Sequence, residues 1–253
     1  MPLKLAVMQL KIHAKPNSHN VHSQVLPVKN EGVVLKKPQI YLEPKERAAK
    51  IIELLTKKHP DAKIALNFSN PLELLIATIL SAQCTDERVN IVTKALFKKY
   101  TKPQDYANAD LAELEQDVRS TGFHHNKAKN VKNCCKLLVE KNHSQVPKTM
   151  DELLELPGVA RKTANIVLFN AYGVLAGVAV DTHVRRLSQR LGLTENEAQN
   201  KIETDLMNIV PKDKWMKITD LLIFHGRRVC IARKPKCNMC VLNKICPSAF
   251  TFE

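Results

Sequence analysis

The chain has 253 residues, 44% hydrophobic and 25% charged, with 39 Lys and Arg against 25 Asp and Glu, a formal net charge of +14. That balance supplies enough apolar side chains for a core and excludes disorder throughout; the cation excess points to a polyanionic partner, nucleic acid ahead of an anionic membrane surface. Seven glycines, under half the usual ~7%, argue against a turn-rich β-sandwich or a glycine-looped nucleotide-binding sheet, and no run of about 18 apolar residues is present to span a membrane.

Residues 1–43 read as a basic, poorly ordered extension. Up to residue 40 they hold six Lys and one acid, Glu31, with Pro16, Pro27 and Pro38 breaking any helical period. Such a segment suits a nucleic-acid tether. It also suits organelle targeting, although its first thirty residues lack the Arg of a transit peptide. Its start has Lys inside the apolar part and no small-residue cleavage site, a poor secretory signal, so a cytoplasmic setting is expected. From Pro44 the pattern turns helical. Asn70-Pro71-Leu72-Glu73 starts a helix with an Asn cap, Pro at the first position and a capping-box Glu, and the LLIATIL that follows is apolar nearly all round, a buried central helix. Asp110-Leu-Ala-Glu113, Thr149-Met-Asp-Glu152 and Thr194-Glu-Asn-Glu197 are three more capping boxes, and Gly122, Gly173 and Gly192 fall where helices should stop. The chain reads as all-α, with roughly ten helices.

Residues 149–172, TMDELLELPGVARKTANIVLFNAY, form a helix to Leu156, a tight Pro157–Ala160 hairpin and a second helix from about Arg161. A hairpin of this kind opens backbone N–H groups at a helix N-terminus to a phosphate without reading base sequence, so Gly158, Ala160 and Arg161 are candidate DNA contacts. Arg161 and Lys162 sit where the helix dipole disfavours cations. A bound phosphate is one reason for the placement. Another is that Lys162 works as a neutral amine, a nucleophile for an aldehydic carbon; a solvated surface lysine is the plain alternative. Asp181 follows nineteen residues later, in VAVDTH. It is an ordinary helix N-cap by pattern, yet a carboxylate opposite a lysine could steady a sugar cation or move the amine proton.

Cys230, Cys237, Cys240 and Cys246 give C-x6-C-x2-C-x5-C within seventeen residues. Two local disulfides would need an oxidising compartment, so a metal centre is favoured. Four thiolates suit tetrahedral Zn2+ or an iron–sulfur cluster, and three unequal gaps with one close pair fit a cubane better than a zinc knuckle pair. Arg227, Arg228, Arg233, Lys234, Lys236 and Lys244 crowd the same stretch. They would offset the charge of a cluster, and the short pinned loop carrying Arg233, Lys234 and Lys236 could meet a phosphate backbone. Cys84, Cys134 and Cys135 read as core or surface thiols.

SAQCTDERVN, LPGVARKTANIVL, VAVDTH and the cysteine tail, in this order over about residues 45–247, are similar to the endonuclease III family of DNA glycosylases. The resemblance implies two helical lobes with a DNA cleft between them. One is a six-helix barrel over 64–175 with the helix–hairpin–helix at 149–172; the other is an iron–sulfur lobe of 44–63 plus 176–253. It implies that Lys162 attacks the sugar C1′, that Asp181 assists, and that the four tail cysteines hold a [4Fe–4S] cluster. Gln83 sits where the family places a gap-filling amide and Phe123 where an apolar wedge is expected; His183 either lines the pocket as a DNA contact or simply follows the cap. His124, His125, Lys127 and Lys129 fit a loop facing DNA. One departure is Ala160, where the family hairpin has a second glycine; Ala is harmless there if the backbone is already helical. The implied partner is double-stranded DNA carrying oxidised pyrimidines or abasic sites, with no membrane partner and a monomeric chain. The implied activity is bifunctional base removal and strand cleavage by β-elimination. A monofunctional iron–sulfur mismatch glycosylase is the nearest rival, opposed by Lys162, and a non-catalytic DNA-binding iron–sulfur protein is the other.

Overall fold

A computed structural model describes residues 40–252; most of the basic extension read from the sequence, residues 1–39, lies outside the described residues. Its last residues are tied down: Ile40 donates its N–H to Lys244 O at 2.8 Å, and Arg47 Nη2 reaches Leu42 O at 2.7 Å. Among the described residues all regular structure is helical. The α-helices are α1 Pro44–Lys58, α2 Pro71–Leu80, α3 Asp86–Lys99, α4 Pro103–Asn108, α5 Leu111–Val118, α6 His124–Lys141, α7 Met150–Leu154, α8 Arg161–Tyr172, α9 Thr182–Arg190, α10 Gln199–Ile209 and α11 Trp215–Arg228. Short 3-10 turns lie at Arg119–Thr121, Lys212–Lys214 and Cys237–Met239. No described helix is long and apolar enough to cross a membrane.

The helix starts follow the capping chemistry at three of the four boxes. Asn70 accepts from Glu73 N at 3.0 Å, Asp110 from Glu113 N at 3.0 Å, and Thr149 from Glu152 N at 3.4 Å. Each supplies an acceptor to an N–H that the first turn leaves without an intrahelical partner. The fourth box does not cap. Thr194 accepts from Asn196 N at 3.0 Å and donates to Asp205, and α10 begins five residues later with Ala198 as its N-cap. The Asp205 carboxylate also takes Asn196 Nδ2 at 2.7 Å, so a loop clamp outcompetes the local box. The helix before the hairpin also ends at Leu154, not Leu156.

Two apolar cores form. The first gathers buried residues of α2 to α8 around Leu74, Leu75, Ile76 and Leu80 of α2, all fully buried. α2 is apolar almost all round because α3, α6 and α8 pack about it. Burial of each such side chain contributes about 1.5–3 kcal/mol. The second core draws on α1, α9, α10 and α11 with Leu242 and Ile245 from the C-terminal segment. Residues 174–180 join them as extended chain: Ala176 packs on the first core, while Val178 and Val180 are buried in the second. Cys134 and Cys135 are fully buried in the first core, and burial pushes the Cys134 thiol up to about 12.

Candidate active site

Between the cores lies a cavity lined from both. α8 brings Lys162, Ile166 and Asn170; the cap of α9 brings Asp181; α11 brings Met216, Thr219, Asp220, Ile223, Phe224 and Arg227; the segment before α2 and the turn after it bring Leu66 and Ser81. Lys162 reaches it because α8 enters the hairpin at Ala160 and turns the second residue of its first turn toward the gap. Asp181 reaches it because it caps α9: Oδ1 accepts from His183 N and Val184 N, each at 2.8 Å. The capping uses Oδ1 alone, and Oδ2 makes no hydrogen bond among the described residues.

The hairpin fits its expected geometry with one adjustment. Gly158 has φ +80°, and a Cβ there would approach Asn130 Cβ to 3.0 Å, so glycine is required. Ala160 is extended, φ −97° and ψ 168°, not helical as expected; its φ is negative all the same, so alanine carries no strain. As N-cap it has no side-chain acceptor, which leaves the first-turn N–H groups of α8 open to an anion. Arg161 is held by the buried Glu203, Nε to Oε2 at 2.6 Å, with Asn165 Nδ2 on the other oxygen at 2.8 Å. Glu203 therefore supplies a reason for a cation at this helix start that the sequence does not show. It also fixes Gly177, since a Cβ there would sit 2.0 Å from Glu203 Oε1.

Gln83 and Phe123 share an unusual backbone. Gln83 has φ 52° and Phe123 φ 50°, left-handed conformations that cost a non-glycine residue energy and persist only where surrounding structure enforces them. Both are exposed, Phe123 by 62%, so Phe123 is not a core aromatic. Neither lines the cavity, but Ser81 and Asp86 on either side of Gln83 do. Lys127 does not face outward as expected: it is buried, donates Nζ to Thr121 O at 2.7 Å, and so braces the turn before Phe123 from below. Burial lowers its pKa. His183 is half-buried and is not among the cavity-lining residues. It packs against Gly226, with Nδ1 3.2 Å from Arg186 Nη2, and burial lowers its pKa while Asp181 opposes that shift.

Cys230, Cys237, Cys240 and Cys246 line one small apolar hollow with Leu187, Leu191, His225 and Ala249. No three of these sulfurs lie within 4.8 Å of one another. A single tetrahedral zinc with bonds of about 2.3 Å would hold its four sulfurs only about 3.8 Å apart. The wider spread fits a polynuclear centre. Burial pushes the Cys240 thiol up to about 11 and that of Cys246 up to about 12, so these groups need a bound cation to ionise at neutral pH. Arg190 Nη1 lies 3.4 Å from Cys230 Sγ and also donates to Ile231 O at 2.8 Å, while Nη2 donates to Ala232 O at 2.8 Å. Arg186 Nη2 donates to Cys230 O at 3.0 Å. These two arginines of α9 pin the loop that exposes Arg233, Lys234 and Lys236, with Lys234 at φ 50°. Arg227 and Arg228 serve elsewhere, pairing with Asp86 at 2.8 Å and Asp61 at 3.0 Å.

Several residues of these sites escape the motif reading: Arg186 and Arg190, Glu203, and Asp220. The two arginines lie one helical turn apart on α9, the only advance sign of a shared role. Asp220 interrupts the apolar run of α11, a signal that its face meets something other than core.

Residues 76–212 match the model of the HhH-GPD superfamily of base excision DNA repair proteins. An endonuclease III of Synechocystis sp. is 54% identical over 81% of this chain and 94% of its own length. A non-covalent endonuclease III–DNA complex superposes with TM-score 0.79 at 46% identity, covering 82% of this chain and 97% of that one. A trapped endonuclease III–DNA covalent intermediate does so with TM-score 0.79 at 45% identity, covering 82% and 98%. The chain belongs to the endonuclease III family and is a base-excision-repair DNA glycosylase and AP lyase.

Proposed function

We propose that this enzyme removes oxidised or ring-saturated pyrimidines from duplex DNA and cuts the strand 3′ to the resulting abasic site, with Lys162 as nucleophile and Asp181 as its assisting carboxylate. The carrying observation is that Lys162 and Asp181, from different elements, line one cavity between the cores. The Lys162 Nζ lone pair bonds to C1′ of an extruded nucleotide, and the C1′–N bond breaks with its electrons leaving on the base. Asp181 Oδ2 stabilises the positive charge that develops on the sugar and takes a proton from the amine. The C1′–O4′ bond then breaks as O4′ takes that proton, which opens the sugar and leaves a C1′=N imine; the imine acidifies C2′, and loss of the C2′ proton expels the 3′ phosphate as C3′–O breaks. A covalent DNA intermediate has been trapped for an endonuclease III, in keeping with such a lysine adduct here.

Extrusion leaves a hole in the duplex, and damage lowers its cost because a lesion stacks poorly. Gln83 and Phe123, exposed on strained turns, are the groups to fill the hole. The open N–H groups after Gly158 and Ala160, with the free Nη groups of Arg161, take one phosphate, and Arg233, Lys234 and Lys236 take others. His183 supports the cap of α9 beside the site. The four tail cysteines would hold a [4Fe–4S] cluster, which fits their number, their separation and their need for a counter-charge. When bound, that cluster fixes the C-terminal segment and presents the basic loop at a set position.

The test is borohydride trapping on abasic duplex. Lys162→Ala is expected to keep DNA binding within about threefold yet give no covalent adduct; an adduct of undiminished yield would overturn the assignment. A wild-type enzyme that releases base without any adduct would favour the monofunctional alternative.

A further inference from the structure

Asp220 lies mid-way along α11 and lines the cavity of Lys162 and Asp181. Among the described residues its carboxyl makes no hydrogen bond and no ion pair; Lys217, on the same helix, is the cation that acts on it. The wall around it is largely apolar, with Leu66, Ile166, Met216, Ile223 and Phe224. The neighbours Ile218, Leu221 and Leu222 turn the other way, into the second core. A carboxyl kept half-buried in an apolar wall without a partner costs stability, so its partner is to be sought in what the cavity receives. Ligand pockets have this make-up: mostly apolar walls with a few convergent polar groups that set orientation.

We propose that Asp220 is a specificity-determining residue, the polar contact through which this cavity holds the extruded base, pairing its carboxyl with a ring N–H and the adjacent C=O of a pyrimidine. The inference rests on the glycosylase reading above. A pyrimidine keeps that N–H/C=O edge when its C5–C6 bond is oxidised or saturated, so the contact serves a family of lesions. Burial supports the role by pushing the Asp220 carboxyl up to about 6. Near that pH it offers a hydroxyl donor beside a carbonyl acceptor, the complement of an amide edge. A base that displaces the remaining water favours the neutral acid further. The other charged groups of the cavity are Lys63, Lys162 and Arg227 against Asp86 and Asp181, one cation in excess with Arg227 already paired to Asp86; at the Asp220 carboxyl burial outweighs the opposing pull of Lys217.

The experiment compares Asp220→Leu and Asp220→Asn with wild type in two single-turnover reactions. One is base release from a duplex containing 5,6-dihydrouracil. The other is incision of a duplex with a preformed abasic site, which lacks the group Asp220 is to hold. Leucine is expected to slow base release about 10- to 100-fold, the loss of one strong hydrogen-bonded contact, and to change abasic incision by less than about twofold. Asparagine, which keeps a donor and an acceptor, is expected to hold base release within about threefold of wild type. Unchanged base release in Asp220→Leu overturns the proposal, as does an equal loss in both reactions, which would mark a structural role. Failure of the wild type itself to release base or to be trapped by borohydride would refute the underlying function instead.

Discussion

At the scale of single residues, Asp220 shows function set against stability. Its carboxyl ionises near 3.8 when exposed and near 6 in the fold. The native state therefore binds the extra proton between those values, and stability is lost as pH rises through that window. Removing the charge relieves the loss. Asp220→Asn should gain, relative to wild type, on the order of 2 kcal/mol more stability at pH 8 than at pH 4, measured by urea unfolding at both. Equal midpoint shifts at the two pH values would show that the carboxyl is solvated. This residue also marks where the sequence falls silent. Lys162 and Asp181 stand out in the sequence through the family resemblance, and the four tail cysteines through a spacing that suits a metal; the fold puts the first two at one cavity and the four at one hollow. Asp220 stands in no such motif, and only packing reveals that its face of α11 meets the cavity. Glu203 is hidden for the same reason: it meets Arg161 across 42 positions of chain.

At the scale of elements, α8 is the helix on which the site turns, and its start is left uncapped. Ala160 offers no acceptor to the first-turn N–H groups. Ala160→Asp should cap α8 and raise stability by about 1 kcal/mol, while placing a negative charge where a phosphate is to sit. DNA affinity should fall at least tenfold in a fluorescence-anisotropy titration. Stronger binding would place the backbone contact elsewhere. Gly177→Ala is expected to act oppositely on the fold. It displaces Glu203 from Arg161 and Asn165 and should cost about 1–3 kcal/mol in thermal unfolding. Helix starts were legible where the cap and its acceptor are neighbours in sequence, as at Asn70, Asp110 and Thr149. Thr194 misleads because Asp205 claims its hydroxyl from eleven residues away. Turns held at positive φ by non-glycine residues, as at Gln83 and Phe123, leave no compositional trace at all.

At the scale of the whole molecule, the +14 charge is spent unevenly. Arg47, Arg161, Arg186, Arg190, Arg227 and Arg228 are engaged with carbonyls or carboxylates of the protein itself. Arg233, Lys234 and Lys236 stand exposed on a pinned loop. If these meet phosphates, Lys234→Ala should weaken binding to any duplex and reduce the slope of log K against log salt by about 0.9. An unchanged slope would place the loop away from DNA. The all-helical plan is legible from glycine scarcity and apolar period. The joining of α1 to α9, α10 and α11 across the chain is not a property of any local stretch; the family resemblance supplies it.

The ion pair between Asp86 on the first core and Arg227 on the second, at the lining of the cavity, carries a mechanical consequence. A partly exposed tie of this kind holds with no more than about 1 kcal/mol, less than twice the thermal energy. A nucleotide that enters the cavity can therefore part these two side chains at small cost, with neither apolar core disturbed.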